Sequence, residues 1–146
     1  MDLRILTLLP NIYRRWASLR LADLAPWIEG WNLDEIFAGV PGRGAEHAWY
    51  NTSILTEFLR TLEVHYTGAA ADIWKCFDQV LRPLVYDILL AAGFPKHILH
   101  VYMSCIEQLT IRNVIMGHIG QPHKHRHGIP QGCPFSMMIL ALLMRP

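Results

Sequence analysis

Apolar residues recur at near-helical spacing over residues 12–29, where Ile12, Trp16, Leu19, Ala22, Leu24 and Ile28 form a stripe that ends towards Gly30. The spacing predicts a helix, with Arg14, Arg15 and Arg20 off its apolar face. Ala38-Gly39-Val40-Pro41-Gly42-Arg43-Gly44 then breaks regular structure, and a helical pattern returns from Ala45 to Val64. Around residues 69–73 a short run of small and apolar residues reads as a buried strand ending in Asp72 and Trp74. A further helix is expected to begin at Asp78, with that residue as its N-cap and Val80, Leu84, Ile88 and Ala91 on its inner face. Gly93 stops it, and Pro95 suits the start of another helix from Lys96 to about Leu109. Residues 110–115 alternate weakly before Gly117, Gly120 and Pro122, which predicts a hairpin whose second strand lies near 123–127. Gly128 to Gly132 is a tight loop, and Ser136 to Met144 reads as a buried helix.

With 52% apolar residues in 146, the chain can bury one ordinary core, so a single domain or a piece of one is expected. The charged fraction of 17% lies below the roughly 25% of an average soluble domain, which argues against disorder. The small net charge is unevenly placed: the last 39 residues carry +4 and no acid follows Glu107. That asymmetry suits a local site for a polyanion. Three widely spaced cysteines, Cys76, Cys105 and Cys133, suit reduced thiols better than a disulfide framework. Neither the N-terminal apolar stretch nor the run from Pro134 to Met144 reaches the ~20 residues of a membrane span, and no signal-peptide cleavage pattern is present. An intracellular protein, nuclear or cytoplasmic, with no membrane partner and no obligate protein partner is the expectation.

Two segments carry the chemistry. Asp72-Ile73-Trp74-Lys75-Cys76-Phe77-Asp78 resembles the acidic palm motif D-x-x-K-A-F-D of reverse transcriptases of non-LTR, LINE-like retrotransposons. Gly128-Ile129-Pro130-Gln131-Gly132-Cys133-Pro134-Phe135-Ser136 resembles their G-[IVL]-x-Q-G-x-P-[LF]-S motif. Arg4-Ile5-Leu6-Thr7-Leu8-Leu9-Pro10 with Tyr13-Arg14 is similar to the family's R-P-I-[ST]-L-L-P…Y-[KR] stretch, and residues 39–44 are similar to its G-F-x-P-G-R-S loop. Ile5, Val40, Gly44 and Cys76 depart from the family's proline, aromatic, serine and alanine.

The resemblance implies an α+β fold, the partial fingers (1–68) and partial palm (69–146) of a right-hand polymerase, with helices packed on a small antiparallel sheet. It implies an RNA-directed DNA polymerase whose partners are an RNA template, a DNA primer and deoxynucleoside triphosphates, and whose cofactor is Mg²⁺. Asp72, with the backbone carbonyl of Ile73, would be a metal ligand, because Mg²⁺ takes hard oxygen donors. Phe77 would lie beneath the nucleotide sugar, Lys75 would approach the triphosphate through its backbone, and Gln131 would hydrogen-bond near the nucleotide. Arg4 would grip the triphosphate, with Arg14 the alternative, and Arg43 and Gly128 would contact the template. Each has a plainer reading: strand end for Asp72, core for Phe77, and solvated surface for Lys75 and the arginines.

The family's second acidic motif, an aromatic-x-D-D hairpin, does not occur in these residues, the last aspartate being Asp87. The chain alone is therefore expected not to polymerise DNA, and a non-catalytic nucleic-acid-binding remnant of a retroelement is the alternative function. A third reading rests on His123, His125 and His127, which alternate near His118 and raise a transition-metal site, although no cysteine or acid completes a usual ligand set.

Overall fold

The computed structural model describes residues 7–145, so Arg4 lies outside the described residues. Helix α1 (Asn11–Asp23) follows Pro10 and runs into α2 (Ala25–Trp31) across a break at Leu24. Pro26, in the first turn of α2, has no N–H to continue the α1 ladder, which accounts for the break. Tyr13, Ala17, Leu24 and Ile28 are buried, whereas Ile12 and Leu19 are 81% and 63% exposed. The inward face of α1 is thus turned one position from the expected stripe. Ala17, fully buried, lets α1 lie close against the last helix, and Trp16 meets Phe135 edge-on there.

Helix α3 (Ala45–Thr61) forms where the periodicity places it, yet none of its residues is buried. Residues 64–73 have no regular structure, and Tyr66, Ile73 and Trp74 are exposed. This corrects the expected buried strand at 69–73: a strand needs a neighbour for its N–H and C=O groups, and among the described residues none pairs with it. Helix α4 (Cys76–Gln79) is a single turn that holds Asp78 inside it. Lys75, at φ 49°, occupies the position before α4, so Asp78 is not an N-cap as expected.

Helix α5 (Arg82–Ala91) buries Arg82, Val85, Tyr86 and Leu89, while Leu84 and Ala91 face solvent, again a rotation of the expected face. It ends as Gly93 predicts. Gly93 adopts φ +75°, and the amides of Phe94 and Gly93 donate to Leu89 and Leu90 carbonyls at 2.9 and 3.1 Å, a Schellman closure. Helix α6 (Lys96–Gln108) starts after Pro95 and buries Ile98, Leu99, Tyr102 and Ile106.

Strands β1 (Val114–Ile115) and β2 (His118–Ile119) pair antiparallel across Met116 and Gly117, both at positive φ, the geometry of a tight primed hairpin turn. The hairpin extends through a bridge between Ile111 and His123. Its second strand begins earlier than residues 123–127 because the turn sits at 116–117. Helix α7 (Pro134–Leu143) is apolar on nearly every side and lies at the centre, packed by α1 and α5. The fold is α+β in the general sense, but its core is helix on helix and both strands are exposed. Among the described residues no helix is long and apolar enough to cross a membrane.

Candidate functional site

The segment 128–138 is the hub on which the other marked segments converge. Gly128 at φ +83° lies so close to α4 that an added Cβ would stand 3.1 Å from backbone atoms of Phe77 and Asp78. Its amide donates to the Val80 carbonyl at 2.8 Å, and the Ile129 amide donates to the Phe77 carbonyl at 2.9 Å. Gly132 faces the Thr7 carbonyl, and Gly39 at φ +71° lies against the backbone of Met137. Glycine is required where two backbones meet this closely. Tyr13 of α1 sits with its hydroxyl 3.1 Å from the Cys133 sulfur, and Ser136 donates to the Pro130 carbonyl at 2.7 Å.

Arg82 fixes this loop from below. Its guanidinium is buried, with Nε donating to the Gly128 carbonyl at 2.8 Å and Nη1 3.6 Å from the Glu107 carboxylate. Tyr86 donates to the same carboxylate at 2.7 Å. Burial, and then the bond to Glu107, push the Tyr86 phenol well above its ordinary range. Burial likewise raises the phenols of Tyr13 and Tyr102 and the thiol of Cys133. Reasoning from sequence missed Arg82. The signal was available, since Arg82, Val85, Tyr86 and Leu89 lie at i, i+3, i+4 and i+7, an arginine on an apolar stripe.

Gln131 lies on the rim between two clefts. One is an open groove of about 1030 Å³ against α1, lined by Asn11, Arg14, Arg15, Ser18 and Leu19 together with residues 131–134. No acid lines it. The other is a crevice of about 20 Å³ beside Asp78, Arg82, His125 and His127. Among the described residues the carboxylate brought towards Gln131 is Asp78, and Asp72 lines neither cleft.

Asp72 stands in the exposed segment before α4, with Ile73 47% exposed beside it. Lys75 lays its ammonium over the Trp74 ring, 4.6 Å from the centroid. Phe77 is half-buried against the core, with its carbonyl taken by Ile129. Arg43 is committed to its own loop: Nη1 donates to the carbonyls of Leu33, Asp34 and Ile36, and Nη2 pairs with the Asp34 carboxylate at 3.0 Å. A Mg²⁺ site needs several oxygen donors. Residues 72–73 offer one carboxylate and one carbonyl, and among the described residues no three acid, histidine or cysteine side chains converge. The described residues do not make a complete site for that ion. No family model matches the chain, and neither does any curated protein or solved structure.

Proposed function

We propose that the chain is a partial fingers-and-palm unit of a LINE-like RNA-directed DNA polymerase, which in isolation binds nucleic acid and carries out no nucleotidyl transfer. The mutual packing of the four motif-bearing segments supports this reading above all: residues 7–10, 39–42, 76–80 and 128–138 lie far apart in sequence and meet through glycine-permitted backbone contacts. A chance likeness of short motifs has no reason to bring its pieces together. In this reading Gln131 sits at the edge of the nucleotide pocket, Phe77 beneath the sugar and Lys75 near the triphosphate. Asp72 and the carbonyl of Ile73 contribute part of a Mg²⁺ site, and Arg4 contributes to triphosphate binding. Gly128 and Arg43 lie towards the template, with Arg43 held against the carbonyls of Leu33, Asp34 and Ile36.

The α1 groove supplies the binding surface. Arg14 and Arg15 line it with Asn11, Ser18 and Gln131, giving hydrogen-bond donors and positive charge and, among the described residues, no carboxylate. That combination suits the phosphates of an RNA or DNA strand. The test is fluorescence anisotropy of a labelled single-stranded oligonucleotide over a series of salt concentrations. Binding that weakens with salt, and weakens further with Arg14→Ala and Arg15→Ala together, is expected. Absence of binding at low salt, or affinity untouched by the double substitution, overturns the assignment.

A further inference from the structure

The hairpin's outgoing arm holds a pair of imidazoles that the polymerase reading does not use. His123 and His125 place their Nε2 atoms 3.1 Å apart, with ring centroids 5.1 Å apart and planes tilted by 34°. His123 is fixed in position. Its amide and carbonyl exchange hydrogen bonds with Ile111 at 2.9 and 2.8 Å, and residues two apart on an extended chain share a face. The rings therefore project side by side from a backbone anchored across the base of the hairpin.

We propose that His123 and His125 form a two-histidine chelate for a borderline transition-metal ion such as Zn²⁺, Ni²⁺ or Cu²⁺. The separation fits the ion's own geometry. Two Zn–N bonds of about 2.0–2.1 Å put their nitrogens roughly 2.9 Å apart at a right angle and roughly 3.3 Å apart at a tetrahedral angle. The observed 3.1 Å lies between those limits. Without metal, one ring carries its proton on Nε2 and donates it to the other ring. With metal, both Nε2 lone pairs turn to the ion and that proton is held on Nδ1 instead, the usual arrangement of a ligating imidazole. Two neutral nitrogens select against Mg²⁺ and Ca²⁺, which take oxygen ligands. His123 is partly exposed and His125 exposed, so water completes the coordination shell, and the affinity is that of an open two-ligand site. This site stands independently of the polymerase reading, because it draws on neither the groove nor the motif carboxylates.

The measurement is a Zn²⁺ titration of the 146-residue chain against a chromophoric chelator, repeated with His123→Ala, His125→Ala and, as a control, His97→Ala on α6. Circular dichroism of each variant checks that the fold is kept. One Zn²⁺ per chain is expected, weakened about tenfold or more by either hairpin substitution, as the loss of one of two chelating nitrogens requires, and unchanged by His97→Ala. Excess Mg²⁺ leaves the Zn²⁺ bound. Affinity equal in all the variants, or Zn²⁺ displaced by Mg²⁺, overturns the proposal.

Discussion

The guanidinium of Arg82 donates from Nε to the carbonyl of Gly128 at 2.8 Å, in a place where Arg82 is only 5% exposed. One buried side chain thereby joins the start of α5 to the loop that carries Gln131. Replacing Arg82 with Met keeps the stem's packing and removes the donor, leaving the Gly128 carbonyl buried without a partner. A loss of about 2–3 kcal/mol is expected from that unsatisfied group. The Glu107 contact adds little, since it is long and Glu107 is half exposed. Urea denaturation checks the value, and a change under about 0.5 kcal/mol, the scale of an ordinary surface substitution, would sink the clamp.

Glycines 128 and 42 separate backbone strain from backbone contact. Both adopt positive φ, +83° and +72°, but Gly42 has open space where a Cβ would go, while Gly128 faces α4 backbone atoms at 3.1 Å. Gly42→Ala meets the conformational penalty alone, about 1 kcal/mol. Gly128→Ala adds displacement of α4 from the loop, for a total of roughly 2–4 kcal/mol. Thermal unfolding of the two variants side by side should rank them in that order, and equal losses would mean that the approach of Gly128 to α4 carries no weight.

Part of this architecture could be read from residue order because local rules settle it. Gly93 and Pro95 punctuate α5 and α6 wherever the helices pack, and the spacing over residues 45–61 specifies α3 with no partner at all. The inward faces of α1 and α5 could not be read, because apolar residues flank the true stripe on both sides. Leu84 and Val85 are both strongly apolar, and contact with α6 and α7 decides between them. Residues 69–73 failed for a different reason. Their apolar run fits a strand, but strand formation depends on a neighbour, and the described residues supply none. For the candidate site, Gln131 and Gly128 were legible as loop residues, whereas the groove formed with Arg14 and Arg15 depends on where α1 docks.

Stability should fall in alkaline solution. Burial holds the phenols of Tyr13, Tyr86 and Tyr102 and the thiol of Cys133 above their ordinary values. Below about pH 7.5 these groups are protonated in both the folded and unfolded chain. As pH rises through about 8.5–10, first the thiol and then the phenols of the unfolded chain release their protons while the folded chain keeps them, so unfolding is favoured. Urea midpoints should hold up to about pH 7.5 and drop by about pH 10.5, with Tyr86→Phe flattening the fall. A midpoint constant over that range contradicts the assignment.

Helix α3 presents apolar surface that nothing in the described fold covers. Trp49, Tyr50, Ile54, Leu55 and Phe58 are each at least half exposed. Apolar area of this kind drives self-association. Light scattering should show particle size rising with protein concentration, and Trp49→Ser with Phe58→Ser should suppress the rise. Because α3 buries no residue, the same pair should shift stability by no more than about 1 kcal/mol in total. A large loss of stability would instead mean that α3 belongs to the core.

The last prediction concerns chemistry. Two-metal phosphoryl transfer needs carboxylates arranged around both ions. Asp72 is exposed, no group of three acid, histidine or cysteine side chains converges among the described residues, and the sequence contains no aromatic-x-D-D segment. The 146-residue chain, given an RNA template, a DNA primer, Mg²⁺ and deoxynucleotides, should incorporate nothing, and Asp72→Asn should change neither that result nor oligonucleotide binding. Binding should depend instead on Arg14 and Arg15, whose joint removal lowers the salt dependence by about two phosphate contacts. Incorporation abolished by Asp72→Asn would require a carboxylate cluster at residue 72 that these atoms do not form. A salt dependence unchanged by removing both arginines would move the bound strand out of the α1 groove and leave Gln131 without the neighbours on which its role depends.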